Sequence, residues 1–325
     1  MTAKDNTGTK RPLIILTGPT AVGKTALSIG LAKAIQGEII SADSMQVYRG
    51  MDIGTAKITK EQMDGVPHHL IDIMDPSDSF HVMAFQQKCK EAMEDIYARH
   101  KIPILVGGTG FYIQSVLYDI SFTETDTDIE YRQELQKIAE EQGGYVLHAR
   151  LAKIDPEAAD EIHPNNVKRV IRALEFNHQT GEKISIHNEQ ERQRKSPYQF
   201  RYYVLSLPRE ILYDRINRRV DVMRRDGLVD EVKGLLQQGI TPNMVSMQGL
   251  GYKEIIDALQ GSCSFEEAFE RIKRETRHFA KRQFTWFRRE RDVTWIDKET
   301  YENKDAILQY MIEDLKNAHI LPADQ

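Results

Sequence analysis

Lys24 and Thr25 close a stretch, Gly18-Pro19-Thr20-Ala21-Val22-Gly23-Lys24-Thr25, whose residue types suit it to hold the oxygens of a polyphosphate or pyrophosphate. Gly18 and Gly23 let the backbone turn and come close to a ligand. The N–H groups of Thr20, Ala21, Val22 and Gly23 can then surround an anion at the positive end of a helix dipole. Lys24 would neutralise the outer phosphate, and the Thr25 hydroxyl would take a place on Mg²⁺. The context is right: an apolar, β-branched run, Leu13-Ile14-Ile15-Leu16-Thr17, precedes the loop, and helix-forming residues 26–34 follow it. The motif leaves the identity of the phosphate compound open.

A second reactive group is Asp43. Glu38-Ile39-Ile40-Ser41-Ala42 reads as a short strand that delivers Asp43 and Ser44 at its carboxyl end. Ligands of open parallel sheets sit beyond the carboxyl ends of strands, so Asp43 is expected in the crevice of the phosphate loop. There it can act as a general base or hold Mg²⁺ through water; a cap on the next turn is the plain alternative. Residues 45–57 form a donor-rich loop too long for a simple connection, as loops that touch substrate often are. A third strand over residues 101–106 ends in Gly107-Gly108-Thr109-Gly110. Its glycines allow a backbone nest, with the Thr109 hydroxyl aimed into the same crevice.

Three cationic groups complete the inventory. Arg215, Arg218 and Arg219 flank the apolar stripe Ile216, Val220, Met223 of a helix over 209–225. One of them reaching back could bind a pyrophosphate in bidentate fashion, and spacing does not choose among them. Lys168, Arg169 and Arg172 neighbour one another on a helix over 167–178, as a solvated face or as a polyanion contact. The densest group is Arg271, Lys273, Arg274, Arg277, Lys281, Arg282, Arg288, Arg289 and Arg291, interleaved with Phe279, Phe284, Trp286 and Phe287 and offset by Glu275 and Glu290. It reads as the last long helix. In a chain of net charge −5, such a concentration of cations and aromatics points to nucleic-acid backbone with base stacking. His68 and His69 have no further ligands at metal spacing and read as solvated or core-edge side chains.

The elements that must position these groups alternate strand and helix, which predicts an α/β fold: a P-loop NTPase-like core with a parallel sheet flanked by helices. Residues 201–207 read as a strand returning to that sheet, so 1–120 and 201–325 form the core and 121–200 a helical insertion domain. Residues 247–254 are a glycine-broken turn that opens a further helix. The chain has 325 residues, 40% of them hydrophobic, enough for one core carrying a large insertion. Residues 1–11 are polar, and no apolar run is long enough to span a bilayer, so a cytoplasmic protein without membrane contact is expected. The two cysteines, Cys89 and Cys263, lack disulfide or zinc spacing.

Five stretches taken in order resemble the bacterial tRNA dimethylallyltransferase family. They are the phosphate loop, Ser41-Ala42-Asp43-Ser44-Met45-Gln46 running on to Lys57, Gly107 to Tyr112, Gly249-Leu250-Gly251-Tyr252-Lys253-Glu254, and Lys281-Arg282-Gln283-Phe284-Thr285-Trp286-Phe287-Arg288. The resemblance spans nearly the whole chain, without the zinc finger that animal and fungal relatives carry. It implies transfer of a dimethylallyl group from its diphosphate to N6 of the adenosine at tRNA position 37, with release of pyrophosphate. Asp43 matches the family's general base, Thr109 the residue near the flipped adenine, and Arg219 the arginine that reaches the pyrophosphate. The loop residues Gly18, Thr20, Ala21, Val22, Gly23, Lys24 and Thr25 would hold the diphosphate, with Mg²⁺ at Thr25. The tRNA-contacting positions would be Asp43, Ser44, Met45, Gln46, Lys168, Arg169, Arg172, Gly249, Gly251, Tyr252, Lys281, Arg282, Gln283, Thr285, Trp286 and Arg288. The implied partners are the tRNA anticodon stem-loop and dimethylallyl diphosphate, acted on by a monomer. The competing expectation is a P-loop kinase of a small metabolite or nucleotide, for which the basic aromatic helix has no use.

Overall fold

The computed structural model of the chain describes residues 10–122 and 128–322; most of the polar 1–11 stretch and part of the opening of the insertion lie outside the described residues. The chain begins with β1 (Pro12–Thr17), α1 (Lys24–Ile35), β2 (Glu38–Ala42), the one-turn α2 (Lys60–Met63), β3 (His68–His69), α3 (Val82–Ala98), β4 (Pro103–Gly107) and α4 (Gly110–Leu117). It continues through α5 (Ile129–Gln142), α6 (Gly144–Ile154), α7 (Pro156–Glu161), α8 (Val167–Thr180) and α9 (Ile184–Gln193). Then come β5 (Gln199–Ser206), α10 (Arg209–Asp226), α11 (Leu228–Gln237), α12 (Tyr252–Leu259), α13 (Phe265–Phe287), β6 (Val293–Asp297) and α14 (Lys304–Asn317).

Contacts divide the chain at Leu117/Tyr118 and Ser196/Pro197 into two units. The larger holds a six-stranded sheet in the order β3-β2-β4-β1-β5-β6, with every pair parallel. Leu13, Ile14, Ile15 and Leu16 of β1 are all fully buried, because a central parallel strand is covered on both faces and needs no polar alternation. The smaller unit is all helical around Leu135, Leu147, Leu151, Val170 and Leu174. There Arg132 makes a bidentate pair with buried Glu175 at 2.6 and 2.8 Å, and Asp155 caps α7.

Thr17 of β1 and Ala42 of β2 both lie in register with Gly107 of β4. The carboxyl ends of three neighbouring strands therefore converge. A side chain at Gly107 would place its Cβ 2.1 Å from the Ala42 carbonyl oxygen, so only glycine allows β2 and β4 to end this close. This convergence brings the phosphate loop, Asp43 and Thr109 to one edge.

The short edge strand β3, the strand β6 and helix α14 are among the elements not anticipated from the sequence. The expectation of one last long helix carrying cations as far as Arg291 is corrected: α13 ends at Phe287, and β6 and α14 follow it. Asp292 sits at φ +56°, and the left-handed turn there starts the chain back toward the sheet. No described helix is long and apolar enough to cross a membrane.

Candidate active site

The phosphate loop takes its shape from two glycines. Gly18 lies at φ +142°, and a Cβ there would sit 2.6 Å from the Leu205 carbonyl oxygen; Gly23, at φ +93°, starts α1. The N–H groups of Gly23, Lys24 and Thr25 make no hydrogen bond among the described residues, as expected for a helix start that can receive an anion. Lys24 Nζ donates to the carbonyls of Gly18 and Pro19 at 2.9 and 3.0 Å. Arg219 Nη1 donates to Thr20 Oγ1 at 3.2 Å. Burial, reinforced by Arg219, pushes Lys24 down to about 8, and nearby Asp43 opposes the shift. Burial likewise lowers Arg219, again against Asp43. Two cations and one carboxylate thus share the crevice without a direct ion pair.

Asp43 is held by its own turn. Its Oδ1 accepts from the N–H groups of Met45 and Gln46 at 2.8 and 3.2 Å, while Oδ2 has no hydrogen bond among the described residues and stays available as an acceptor. Thr109 N donates to the Ala42 carbonyl at 3.3 Å, fixing the Gly-Gly-Thr turn beside Asp43, and the Thr109 hydroxyl has no partner among the described residues. Thr25 is exposed in the first turn of α1. Among the described residues no cluster of three His, Cys, Asp or Glu side chains could hold a metal ion.

The loop after Asp43 is stitched to the rest of its unit. Glu231 of α11 accepts from three consecutive N–H groups, Asp52, Ile53 and Gly54, at 2.8, 2.7 and 3.0 Å. Its Oε1 also accepts from the Tyr252 hydroxyl at 2.7 Å. Lys57 Nζ ties the Tyr48 carbonyl to Asp52 and Asp72. Gln46 Nε2 donates to the Thr55 and Ala56 carbonyls at 3.3 and 3.4 Å. Gly54 faces the Tyr252 ring and Gly249 faces the Met45 methyl, each so closely that a Cβ would stand 2.5 Å away. The Gly-Leu-Gly-Tyr segment therefore buttresses the Asp43 loop. Tyr252, expected to touch RNA, is fully buried with its hydroxyl engaged by Glu231.

The cationic helix splits in two. Lys273 pairs with Asp221 and Glu270, Arg271 with Asp257, Arg274 with Glu275, and Arg277 bonds Asn217. From the sequence only Glu275 and Glu290 counted as offsets, whereas acids on α10 and α12 are brought in by folding. Lys281, Arg282, Arg288 and Arg289 are exposed and have no acidic partner among the described residues. Thr285 and Trp286 share that exposed face, and Trp286 packs edge-on to Phe111 at 6.3 Å. Gln283, expected among the RNA contacts, is buried instead. In the helical unit Lys168, Arg169 and Arg172 are all exposed on α8.

Of the three arginines on α10, Arg218 turns to Asp214 at 2.9 Å on the solvent side, Arg219 bonds Thr20 of the loop, and Arg215 lies near Gly23 at the start of α1. Lys298 was missed by sequence reasoning. Its Nζ donates to the Val22 carbonyl at 3.0 Å, and its pKa is lowered by burial and by neighbouring Arg215. The signal for it was present: it directly follows the apolar run that forms β6, at the carboxyl edge where ligands gather. His68 and His69 lie on β3, where they bond the Val66 carbonyl and Glu38.

The chain matches the IPP transferase family profile over residues 46–290 and the Isopentenyl transferase profile over residues 12–79. It is 58% identical over 311 residues to the tRNA dimethylallyltransferase of Lachnoclostridium phytofermentans, covering 96% of this chain and 99% of that relative. To the tRNA dimethylallyltransferase of Bacillus pumilus it is 53% identical over 289 residues, 89% of this chain and 90% of the relative. Among solved structures, the tRNA isopentenylpyrophosphate transferase of Bacillus halodurans matches with a TM-score of 0.72 at 48% identity, covering 95% of this chain and 98% of that one. A eukaryotic dimethylallyltransferase acting on tRNA matches with a TM-score of 0.80 at 31% identity, over 97% of this chain and 81% of that one.

Proposed function

The chain belongs to the IPP transferase family and transfers a dimethylallyl group to tRNA, and from that premise we propose that it takes the group from dimethylallyl diphosphate and places it on N6 of the adenosine at position 37. The observation that carries this reading is the arrangement of Lys24 and Arg219 on the phosphate loop with the Asp43 carboxylate near both. Cations stand where a leaving diphosphate gains charge, and an acceptor stands where an attacking amine loses a proton.

In the reaction the N6–carbon bond forms as the carbon–oxygen bond to the diphosphate breaks. The electron pair leaves with pyrophosphate, and the N6 proton passes to Asp43 Oδ2. An exocyclic amine of adenine is a weak nucleophile because its lone pair is delocalised into the ring, so this proton transfer is worth roughly two to four orders of magnitude. Lys24, Arg219 and the free N–H groups of the loop stabilise the departing charge in place, without reorganising at the moment of reaction. Lys298 and Arg215 add positive potential on the outer side of the same loop. Thr25 and substrate phosphate oxygens fit Mg²⁺, which keeps few protein ligands and would neutralise diphosphate charge.

An adenine stacked in an anticodon loop cannot enter this crevice, so the base must be flipped out to meet Thr109 and Asp43. The exposed cations and Trp286 at the end of α13, and the exposed basic face of α8, suit the backbone and unstacked bases of that loop. With this reading go a working monomer and a cytoplasmic location.

The test is incubation with Mg²⁺, labelled dimethylallyl diphosphate and unmodified tRNA, with labelled ATP in parallel. Label entering tRNA with ATP untouched is the expected result. Phosphoryl transfer from ATP with no label in tRNA would replace this reading with the kinase.

A further inference from the structure

Gln283 lies on the face of α13 opposite the exposed cations, and it is 6% exposed. Its Oε1 accepts from the Thr20 N–H at 2.8 Å, and its Nε2 donates to the Gly108 carbonyl at 2.9 Å. One amide therefore joins the phosphate loop to the Gly-Gly-Thr turn. These two segments leave adjacent strands, and their last register pair is Thr17 with Gly107. Beyond that pair the backbones part. Each is left with an unpaired polar group, and the side-chain amide supplies the donor to one and the acceptor to the other, as a further rung of the ladder would.

The fit is close. A Cβ at Gly108 would lie 2.2 Å from Gln283 Nε2, so the second glycine of the turn makes room for this amide. The Thr20 N–H, expected to face diphosphate, is consumed by it.

We propose that Gln283 is a positioning residue: its amide fixes the spacing between the phosphate loop and the Gly-Gly-Thr wall, and so aligns the diphosphate carbon with the adenine amine. The inference rests on the proposed reaction. It assigns Gln283 to alignment, whereas Lys281 and Arg282, two positions and one position earlier, face solvent and RNA. Misplacing reacting atoms by about 1 Å costs on the order of a hundredfold in rate, so a loosened bridge is felt in the chemical step more than in binding.

The experiment compares wild type, Gln283→Ala and Gln283→Glu in single-turnover transfer at saturating tRNA and dimethylallyl diphosphate, with tRNA affinity measured across a salt series. The expected result for Gln283→Ala is a transfer rate about ten- to a hundredfold lower, with tRNA affinity and its salt slope unchanged. Gln283→Glu preserves shape and supplies a second check. Its ionised carboxylate repels the Gly108 carbonyl, whereas the protonated acid restores both a donor and an acceptor. Its rate relative to wild type should therefore rise as pH is lowered from about 9 to about 6. A wild-type rate in Gln283→Ala overturns the inference, and so does a loss of tRNA affinity and salt slope with an unchanged rate on the bound complex. Hydrogen exchange at the Thr20 amide separates this inference from the reaction itself. It needs no substrate, should accelerate in Gln283→Ala, and overturns the bridge if it does not.

Discussion

The two ends of one parallel sheet treat buried charge in opposite ways. At the amino end of β2, Glu38 is 2% exposed and receives Arg99, Lys101 and His69. Burial alone would raise this carboxyl, but hydrogen bonds from the three partners hold it at about 2. At the carboxyl end, Lys24 and Arg219 have carbonyls and a hydroxyl as partners, no carboxylate in contact among the described residues, and lowered pKa values. Charge that is fully partnered stabilises the fold. Charge denied a counter-ion is costly to keep and is available to a ligand. Helix α13 repeats the division: Arg271, Lys273 and Arg274 in its early part are tied to acids, whereas Lys281 and Arg282 near its end, and Arg288 and Arg289 just past it, are left open among the described residues.

The largest effects should follow from the carboxyl end. Asp43→Ala is expected to lower kcat by about two orders of magnitude or more with tRNA binding nearly intact, as quench-flow and filter binding can check. An unchanged kcat would remove Asp43 as the base and leave the carboxyl end without its chemistry. Lys24 comes next. Its folded pKa is depressed to about 8, so the ammonium that meets the diphosphate is lost as pH rises through that value. The pH profile of kcat/KM for dimethylallyl diphosphate should therefore fall above about pH 8, and Lys24→Arg, which keeps its charge, should abolish that limb. Between about 8 and the ordinary 10.5 the unfolded chain binds the extra proton, so this group makes stability increase with pH.

The two halves of α13 give effects of intermediate size. Lys281→Ala with Arg282→Ala should weaken tRNA binding and reduce the salt slope by about two. Arg271→Ala with Lys273→Ala removes equal formal charge but breaks ion pairs, so the slope should stay near wild type while thermal stability falls. Equal slopes for the two pairs would mean that charge count, not partnering, governs RNA contact.

Local pattern carried much of this architecture. Residues 13–16 declared a buried parallel strand by an unbroken apolar run, and residues 38–42 read as a short second strand. The phosphate loop was recognisable by its own motif, and the place of Asp43 followed from the carboxyl-end rule. What stayed hidden depends on distant partners. Nothing around Glu231 announces that it will clamp residues 52–54, because the acceptor and its three donors lie 177 or more positions apart. Tyr252 and Gln283 sat inside motifs that suggested RNA contact, and only packing shows both turned inward. β3 has two residues, too few to mark a strand, and β6 follows directly on a cationic stretch that read as one long helix, which masked it.

The smallest effects test whether partnering alone separates the two ends. Glu290, just past α13, is as buried as a stabilising carboxylate but receives the Gln114 amide at 2.7 Å in place of a cation cluster, and burial pushes it up to about 7. Its sign is opposite to that of Glu38. Glu38 has a depressed pKa, so its contribution is present above about 4.5 and lost as pH falls toward 2. Glu38→Gln should therefore cost about 2 kcal/mol at pH 7, seen as a Tm lower by several degrees, with kcat retained. Glu290 holds a proton in the folded state between about 4.5 and 7 that the unfolded chain has released, so its ionisation makes stability fall as pH rises through that window. Glu290→Gln keeps an acceptor for Gln114 and removes the ionisation. Its Tm should exceed wild type by about 2–4 °C at pH 8, a gain that disappears near pH 5. If both glutamine variants lost stability at pH 8, a buried carboxylate here would be stabilising with or without cations around it. The contrast between the two ends would then rest on solvent access and not on counter-ions.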